Sequence, residues 1–152
     1  MHRNLLIPKA DLKSIGAEFH HNERRDDITF RDPMHAVIYP IISLRDVGFG
    51  ARNYVESLES AMMKLCSSYG VDGRRGVKGK TGVWVAEKNI EVIGVRISSG
   101  IASHGLSFNI DLDLNFFKYI VPCGIANKRI TSLRRETSLD LPANEIIQEQ
   151  QV

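Results

Sequence analysis

Apolar positions in this chain recur with two different periods, and each period predicts its own kind of element. From Asn53 to Tyr69, Val55, Leu58, Met62, Leu65 and Tyr69 return at steps of three and four, which stacks them on one face of a helix. Gly70 follows and reads as the helix cap. Leu106, Phe108, Ile110 and Leu112 alternate with Ser107, Asn109, Asp111 and Asp113, the clearest period-two pattern present, which predicts a half-buried strand. Residues 82–86 and 90–97 read as two more strands, joined by a hairpin turn at Glu87-Lys88-Asn89. Ala36 to Ile42 is a β-branched apolar run and reads as a buried strand. Pro40 inside it lacks a ladder donor, so it is expected at a bulge, an edge or the strand end. Pro8 to Gly16 has the proline-first, glycine-last punctuation of a short helix. A helical turn is expected at Phe116–Ile120, a short element at Ile130–Arg135, and a polar helical pattern begins at Pro142.

Composition narrows the class. The 152 residues match the commonest domain size, so one domain with a real core is expected. At 43% apolar and 25% charged residues, the chain is too apolar to be disordered. Twenty Lys and Arg against 18 Asp and Glu leave +2, too little to draw it to nucleic acid or a membrane surface. No apolar run is long enough for a spanning helix, and the N-terminal residues show neither a signal-peptide nor a transit-peptide pattern. Two cysteines, Cys66 and Cys123, are too few for a disulfide scaffold and point to a reducing compartment.

Candidate chemistry centres on Cys123, set between Pro122 and Gly124. Such a turn can present a sulfur with little cover, as a nucleophile needs; the other reading is a small buried hydrophobe. Cys66 shares the helix with Leu58, Met62 and Leu65 and reads as packing. His104, in a loop just before the alternating strand, reads either as a general base or as a satisfied loop histidine. His20, His21 and His35 lack the thiolate and carboxylate spacing of a zinc site, so no metal is expected. Arg74, Arg75, Lys78 and Lys80 lie among Gly73, Gly76 and Gly79, either as a solvated turn or as a basic rim for an acidic partner. No phosphate loop and no dinucleotide glycine pattern occurs.

A set of segments in fixed order carries a family resemblance. They begin with Asn4-Leu5-Leu6-Ile7-Pro8, Ile28-Thr29-Phe30, Tyr39-Pro40-Ile41-Ile42-Ser43-Leu44-Arg45 and Gly48-Phe49-Gly50-Ala51-Arg52-Asn53-Tyr54. They continue with Thr81-Gly82-Val83-Trp84-Val85, Ile93-Gly94-Val95-Arg96-Ile97-Ser98-Ser99-Gly100 and Ser103-His104-Gly105-Leu106. Val121-Pro122-Cys123-Gly124-Ile125 and Thr131-Ser132-Leu133-Arg134-Arg135-Glu136 complete the set. Together they resemble the octanoyltransferases of lipoate biosynthesis, in particular the plant mitochondrial type. The resemblance implies an α/β (α+β) fold: a mixed β-sheet with flanking helices, like the biotin and lipoate protein ligases. It also implies that residues 1–152 form a single catalytic domain, incomplete at both ends because the family's N-terminal part and C-terminal end are lacking.

The implied activity is transfer of an octanoyl group from octanoyl-acyl carrier protein to a lysine of a lipoyl domain. Cys123 matches the family's nucleophile, which holds the octanoyl group as a thioester. Substrate-binding positions carried over are Arg24, Arg25, Asp26, Asp27, Ile28, Thr29, Phe30 and Arg31, then Val92, Ile93 and Gly94, and Gly105, Leu106 and Ser107. Implied acceptors are the lipoyl domains of 2-oxoacid dehydrogenase complexes and the glycine cleavage H protein. The resemblance implies no cofactor, no metal, no nucleic acid, no membrane and a monomer, placed in the mitochondrion or otherwise in the cytoplasm. Acyl carrier proteins are acidic, which makes the basic loop a docking rim.

Two departures from the family pattern stand out. Where the family's loop carries glycines and a histidine, this chain has Arg25, Asp26, Arg31 and Asp32, larger charged groups expected to narrow the acyl site. The lysine that lowers the family cysteine's pKa lines up with Asn89; Lys88 is adjacent, but neighbours on a strand point to opposite faces. Only a register slip or a bulge would let Lys88 take that role. The alternative reading is therefore a catalytically impaired relic that keeps only carrier-protein or lipoyl-domain binding. A ligase using ATP is disfavoured, because a cysteine loop is present and no nucleotide-binding loop is seen.

Overall fold

The computed structural model describes residues 5–20, 34–113, 115, 119 and 129–141. By internal contacts the chain forms two compact units, Met1–Asp32 with Asp113–Lys128, and Pro33–Leu112 with Arg129–Val152. In the first, two 3₁₀ turns, Lys9–Asp11 and Lys13–Ile15, end at Gly16, whose φ of +75° closes the second turn through its N–H to the Lys13 carbonyl. This is the short helix expected between Pro8 and Gly16, in its tighter form. The Leu6 N–H donates to the Tyr119 carbonyl at 2.8 Å. The turn expected at Phe116–Ile120 and the helix expected from Pro142 lie outside the described residues, apart from Tyr119 itself.

The second unit holds two sheets and a long helix. Strands β1 (His35–Ile38), β2 (Ile42–Ser43), β6 (Glu91–Ser98) and β7 (Ile101–Asn109) form one sheet. β6 pairs with one edge of β7; β1 and β2 lie end to end along the other. β1 and β2 share one register against β7, so they act as a single strand interrupted at residues 39–41. Pro40 sits in that interruption, where no ladder donor is asked of it. The second sheet has the order β3 (Arg74–Arg75), β4 (Val83–Val85), β5 (Lys88–Asn89), β8 (Arg129–Ile130), with only the β5–β8 pair parallel. Between these sheets the chain turns at Ile90: β5 ends in one, and β6 starts in the other one residue later. The hairpin turn is therefore at Ala86 and Glu87 rather than at residues 87–89, with Ala86 left-handed at φ +52°.

Helix α1 (Ala51–Ser68) packs on β6. Its buried line is Tyr54, Glu59, Met62 and Cys66, with Leu58 and Leu65 half-buried, so the inward face is rotated slightly from the one the apolar spacing predicts. Gly70, at φ +71°, follows the last turn as expected. The core joins Met62 and Cys66 to Ala36, Val83, Ile90, Leu106, Phe108, Ile110 and Leu133, the last from the short helix α2 (Leu133–Glu136). The alternation of Leu106, Phe108, Ile110 and Leu112 is realised as burial, although the strand itself ends at Asn109 and begins earlier, at Ile101. His104, read as a loop residue just before the alternating strand, lies instead within paired strand, where it carries φ +61°.

Gly94 and Gly105 are direct partners across β6 and β7, yet their surroundings differ. A Cβ at Gly105 would lie 2.1 Å from the Ile38 carbonyl oxygen and 2.5 Å from Pro40 Cδ, whereas one at Gly94 meets nothing within 4 Å. Gly105→Ala is expected to lower the unfolding free energy in urea by more than about 2 kcal/mol, and Gly94→Ala to change it by no more than about 1 kcal/mol. Equal effects would show that the β1–β2 interruption does not press on β7.

Candidate active site

The unbroken β6–β7 register sorts the carried-over substrate positions by face. Val92 pairs with Ser107 and Gly94 with Gly105, so these four share one side of the sheet, where Val92 is 41% exposed. Ile93 pairs with Leu106 on the other side, and both pack into the core. Any ligand contact at Ile93 or Leu106 is then through main chain. Gly94 leaves the exposed part of this face without a side chain, whereas its partner Gly105 is buried beneath Ile38 and Pro40. His104 is half-buried, with its ring edge-on to Tyr39 at 6.5 Å between centroids.

At the other end of this segment the chain binds itself tightly. Asn89 is 2% exposed, and its Nδ2 donates to the Glu91 carbonyl at 2.7 Å and the Val83 carbonyl at 3.3 Å. Asn89 thus holds the corner where the chain passes between sheets. Lys88 pairs with Val85 and Arg129, Asn89 with Trp84 and Ile130, with no bulge in either ladder. Lys88 therefore faces away from Asn89, and its ammonium forms an ion pair with Glu136 of α2. The Thr131 hydroxyl donates to the same carboxylate oxygen at 2.5 Å. Burial would raise the Glu136 carboxyl, but Thr131 and the Lys88 ammonium outweigh it and hold it below its ordinary value.

Of the four cations in the basic loop, two have internal duties. Arg74 binds Asp72 through Nη2 at 2.7 Å. Arg75 reaches the buried Glu59 through Nε at 2.9 Å and the Glu56 carbonyl and Ser60 Oγ through Nη2. Lys80 lies over the Trp84 ring at 5.1 Å, and Lys78 is exposed beside Val77, itself 71% exposed. The rim is therefore half structural, and its free charge is at Lys78 and Lys80.

Sequence reading missed the buried acids. Glu59 is 5% exposed, with Oε1 accepting from the Gly82 N–H at 3.0 Å; Glu91 is fully buried. Charged residues in an amphipathic pattern read as surface, so only a carboxylate at a core position of a strand or helix, as at Glu91 and Glu59, could have given the signal. Cys66 is fully buried, and burial, with the nearby Glu91 carboxylate, pushes its thiol up to about 12. Cys123 and Arg24, Arg25, Asp26, Asp27, Ile28, Thr29, Phe30 and Arg31 lie outside the described residues. Among the described residues no group of His, Cys, Asp and Glu is placed to hold a metal, and no helix is long and apolar enough to cross a membrane.

Residues 2–151 match the family model of the lipoyl protein ligase A/B catalytic domain. The chain belongs to that family. A mitochondrial octanoyltransferase of Arabidopsis thaliana is 60% identical over 149 residues, covering 98% of this chain and 63% of the relative. A Bacteroides fragilis octanoyltransferase is 40% identical over 94% of this chain and 66% of its own length. The mitochondrial octanoyl-[acyl-carrier-protein]:protein N-octanoyltransferase of Xenopus tropicalis is 41% identical over 91% of this chain and 57% of its own. The chain thus spans just under two thirds, or less, of the length of these relatives. In fold it matches the crystal structure of lipoate-protein ligase A bound with ATP at a TM-score of 0.75 and 11% identity, over 98% of this chain and 62% of that one. The mixed sheet with flanking helices expected from the family resemblance is the fold observed.

The thiols of this lipoyl ligase-family chain should separate cleanly. Native protein at pH 8 is expected to take one equivalent of iodoacetamide at Cys123, and Cys123→Ala none, with Cys66 labelled only after unfolding. Peptide mapping of the alkylated sites checks this, and labelling of Cys66 in the native state would contradict the packed helix face.

Proposed function

We propose that this chain transfers an octanoyl group from octanoyl-acyl carrier protein to the lysine of a lipoyl domain. The observation that carries the reading is 60% identity, across nearly the whole chain, to a mitochondrial octanoyltransferase. In this reading the Cys123 thiolate attacks the thioester carbonyl, and the carrier's thiol leaves with the proton that Cys123 gave up. The lysine amine then attacks the acyl-enzyme, forming an amide and restoring the thiol. The first step exchanges one thioester for another at nearly equal energy; the second is driven by amide formation. Val92, Gly94 and Ser107, on the exposed part of that sheet face, supply the floor for the octanoyl chain, and Lys78 and Lys80 meet the acidic carrier. Mitochondrial placement accords with the mitochondrial relatives, and the reading takes lipoyl domains of 2-oxoacid dehydrogenases and the glycine cleavage H protein as its acceptors.

One observation favours a second reading, a catalytically impaired chain that only binds carrier protein or lipoyl domains. Asn89 stands where the family has its activating lysine, it is buried and bonded to main chain, and Lys88 is turned away into its pair with Glu136. A cysteine thiol with no cation beside it has an ordinary pKa of about 8.5, with only a few per cent thiolate at pH 7.

Incubation with octanoyl-acyl carrier protein and intact-mass analysis tests both. The active reading expects a gain of one octanoyl group, reversed by hydroxylamine, absent in Cys123→Ala, and forming about ten times faster per pH unit between pH 6 and 7.5. The Lys78→Glu, Lys80→Glu double variant should raise KM for the carrier with kcat held. No acylation, with carrier binding retained, would select the second reading.

A further inference from the structure

Glu91 is a fully buried carboxyl that no side chain among the described residues hydrogen-bonds; the backbone N–H of Val83 is the group that favours its charged form. It opens β6 opposite Phe108, on the core side of the sheet, one residue after the chain leaves β5. Three elements pack on β6: α1, β4 and β7. From α1 the titratable groups near it are Glu59 and Cys66. β4 contributes Val83, Trp84 and Val85, and β7 contributes Phe108 at the paired position, none of them titratable in the usual range. Glu59 is itself committed, one oxygen to the Gly82 N–H and the other to Arg75. The Lys88 ammonium, three residues earlier on β5, is held by Glu136. Among the described residues Glu91 thus has no cation to pair with, and a second carboxylate stands beside it.

We propose that Glu91 is a pH-sensitive latch: its neutral carboxyl keeps the β5–β6 corner seated on α1 and β4, and its ionisation releases that corner. A neutral acid can lie in an apolar core at modest cost, whereas an unpaired carboxylate there is driven to water. The direction agrees with its titration, since burial, with the Glu59 charge, pushes Glu91 up to about 8. Because the folded value is raised above the unfolded one, the stabilisation is complete below about pH 4.5 and is lost as pH rises through about 8. The released corner carries Asn89 and leads into Val92 and Gly94, so the latch governs the open face whatever reaction that face serves.

Trp84, the single tryptophan of the chain, pairs with Asn89 across β4 and β5 and reports on this corner. Its emission, followed in the full chain from pH 6 to 9, is expected to red-shift in one reversible step centred near 8. Glu91→Gln, which keeps the shape of the neutral acid, should abolish that step. A flat wild-type trace, or the same step in Glu91→Gln, would overturn the proposal. Should Glu91→Gln fail to fold, ¹³C titration of the wild-type glutamate carboxyls decides: one midpoint near 8 supports the latch, and all midpoints below 6 overturn it. Neither readout involves octanoyl transfer, so failure here is distinct from failure of the proposed function.

Discussion

Everything in the larger unit depends on the β6–β7 hairpin holding one register. Eight antiparallel pairs run from Glu91↔Phe108 to Ser98↔Ile101 without a bulge. Side chains alternate along a strand, so this register alone decides that Ile93, Val95, Leu106 and Phe108 meet α1 while Val92, Gly94, Gly105 and Ser107 face the other way. A slip of one residue would put Val92 and Ser107 into the core and turn Ile93 and Leu106 outward. β1 and β2 brace the opposite edge of β7 in a shared register, and the Ile38–Pro40 backbone presses so close on Gly105 that only glycine fits. The same rule forces the cost at Glu91: as the residue opposite Phe108, its carboxyl is carried inward.

A second set of contacts fixes the segment that follows Cys123 in sequence. β8 adds to β5 in parallel, the Thr131 N–H donates to the Asn89 carbonyl at 2.9 Å, and Asn109 Nδ2 donates to the Thr131 carbonyl at 3.1 Å. Leu133 fills the core, and Lys88 closes on Glu136. Lys88 is therefore a structural cation in this chain, and Asn89 a structural amide.

The sequence pattern made much of this legible. The three-four spacing found α1, the alternation after Leu106 found the core half of β7, and Gly16 and Gly70 marked their turns. What escaped has physical causes. Ser103-His104-Gly105 looks like loop because a left-handed histidine and a glycine are rare in strand interiors, yet pairing with β6 along one edge keeps it in the strand. The passage between sheets at Ile90 leaves no local mark, since Ile90 is as buried as its neighbours. Arg74 and Arg75 read as free charge because their partners, Asp72 and the distant Glu59, are fixed by the turn and by α1 rather than by spacing. For the candidate site, the family resemblance supplied the positions, and only the register told which of the described ones share a face.

The proposed transfer requires that this face of β6, and not its reverse, receive the acyl chain. Methyl NMR of the Cys123→Ala chain titrated with an octanoyl thioester measures it directly. The account predicts that the Val92 methyls shift and broaden on titration while those of Ile93 and Leu106 stay in place. Shifts at Ile93 and Leu106 with Val92 unmoved would contradict it.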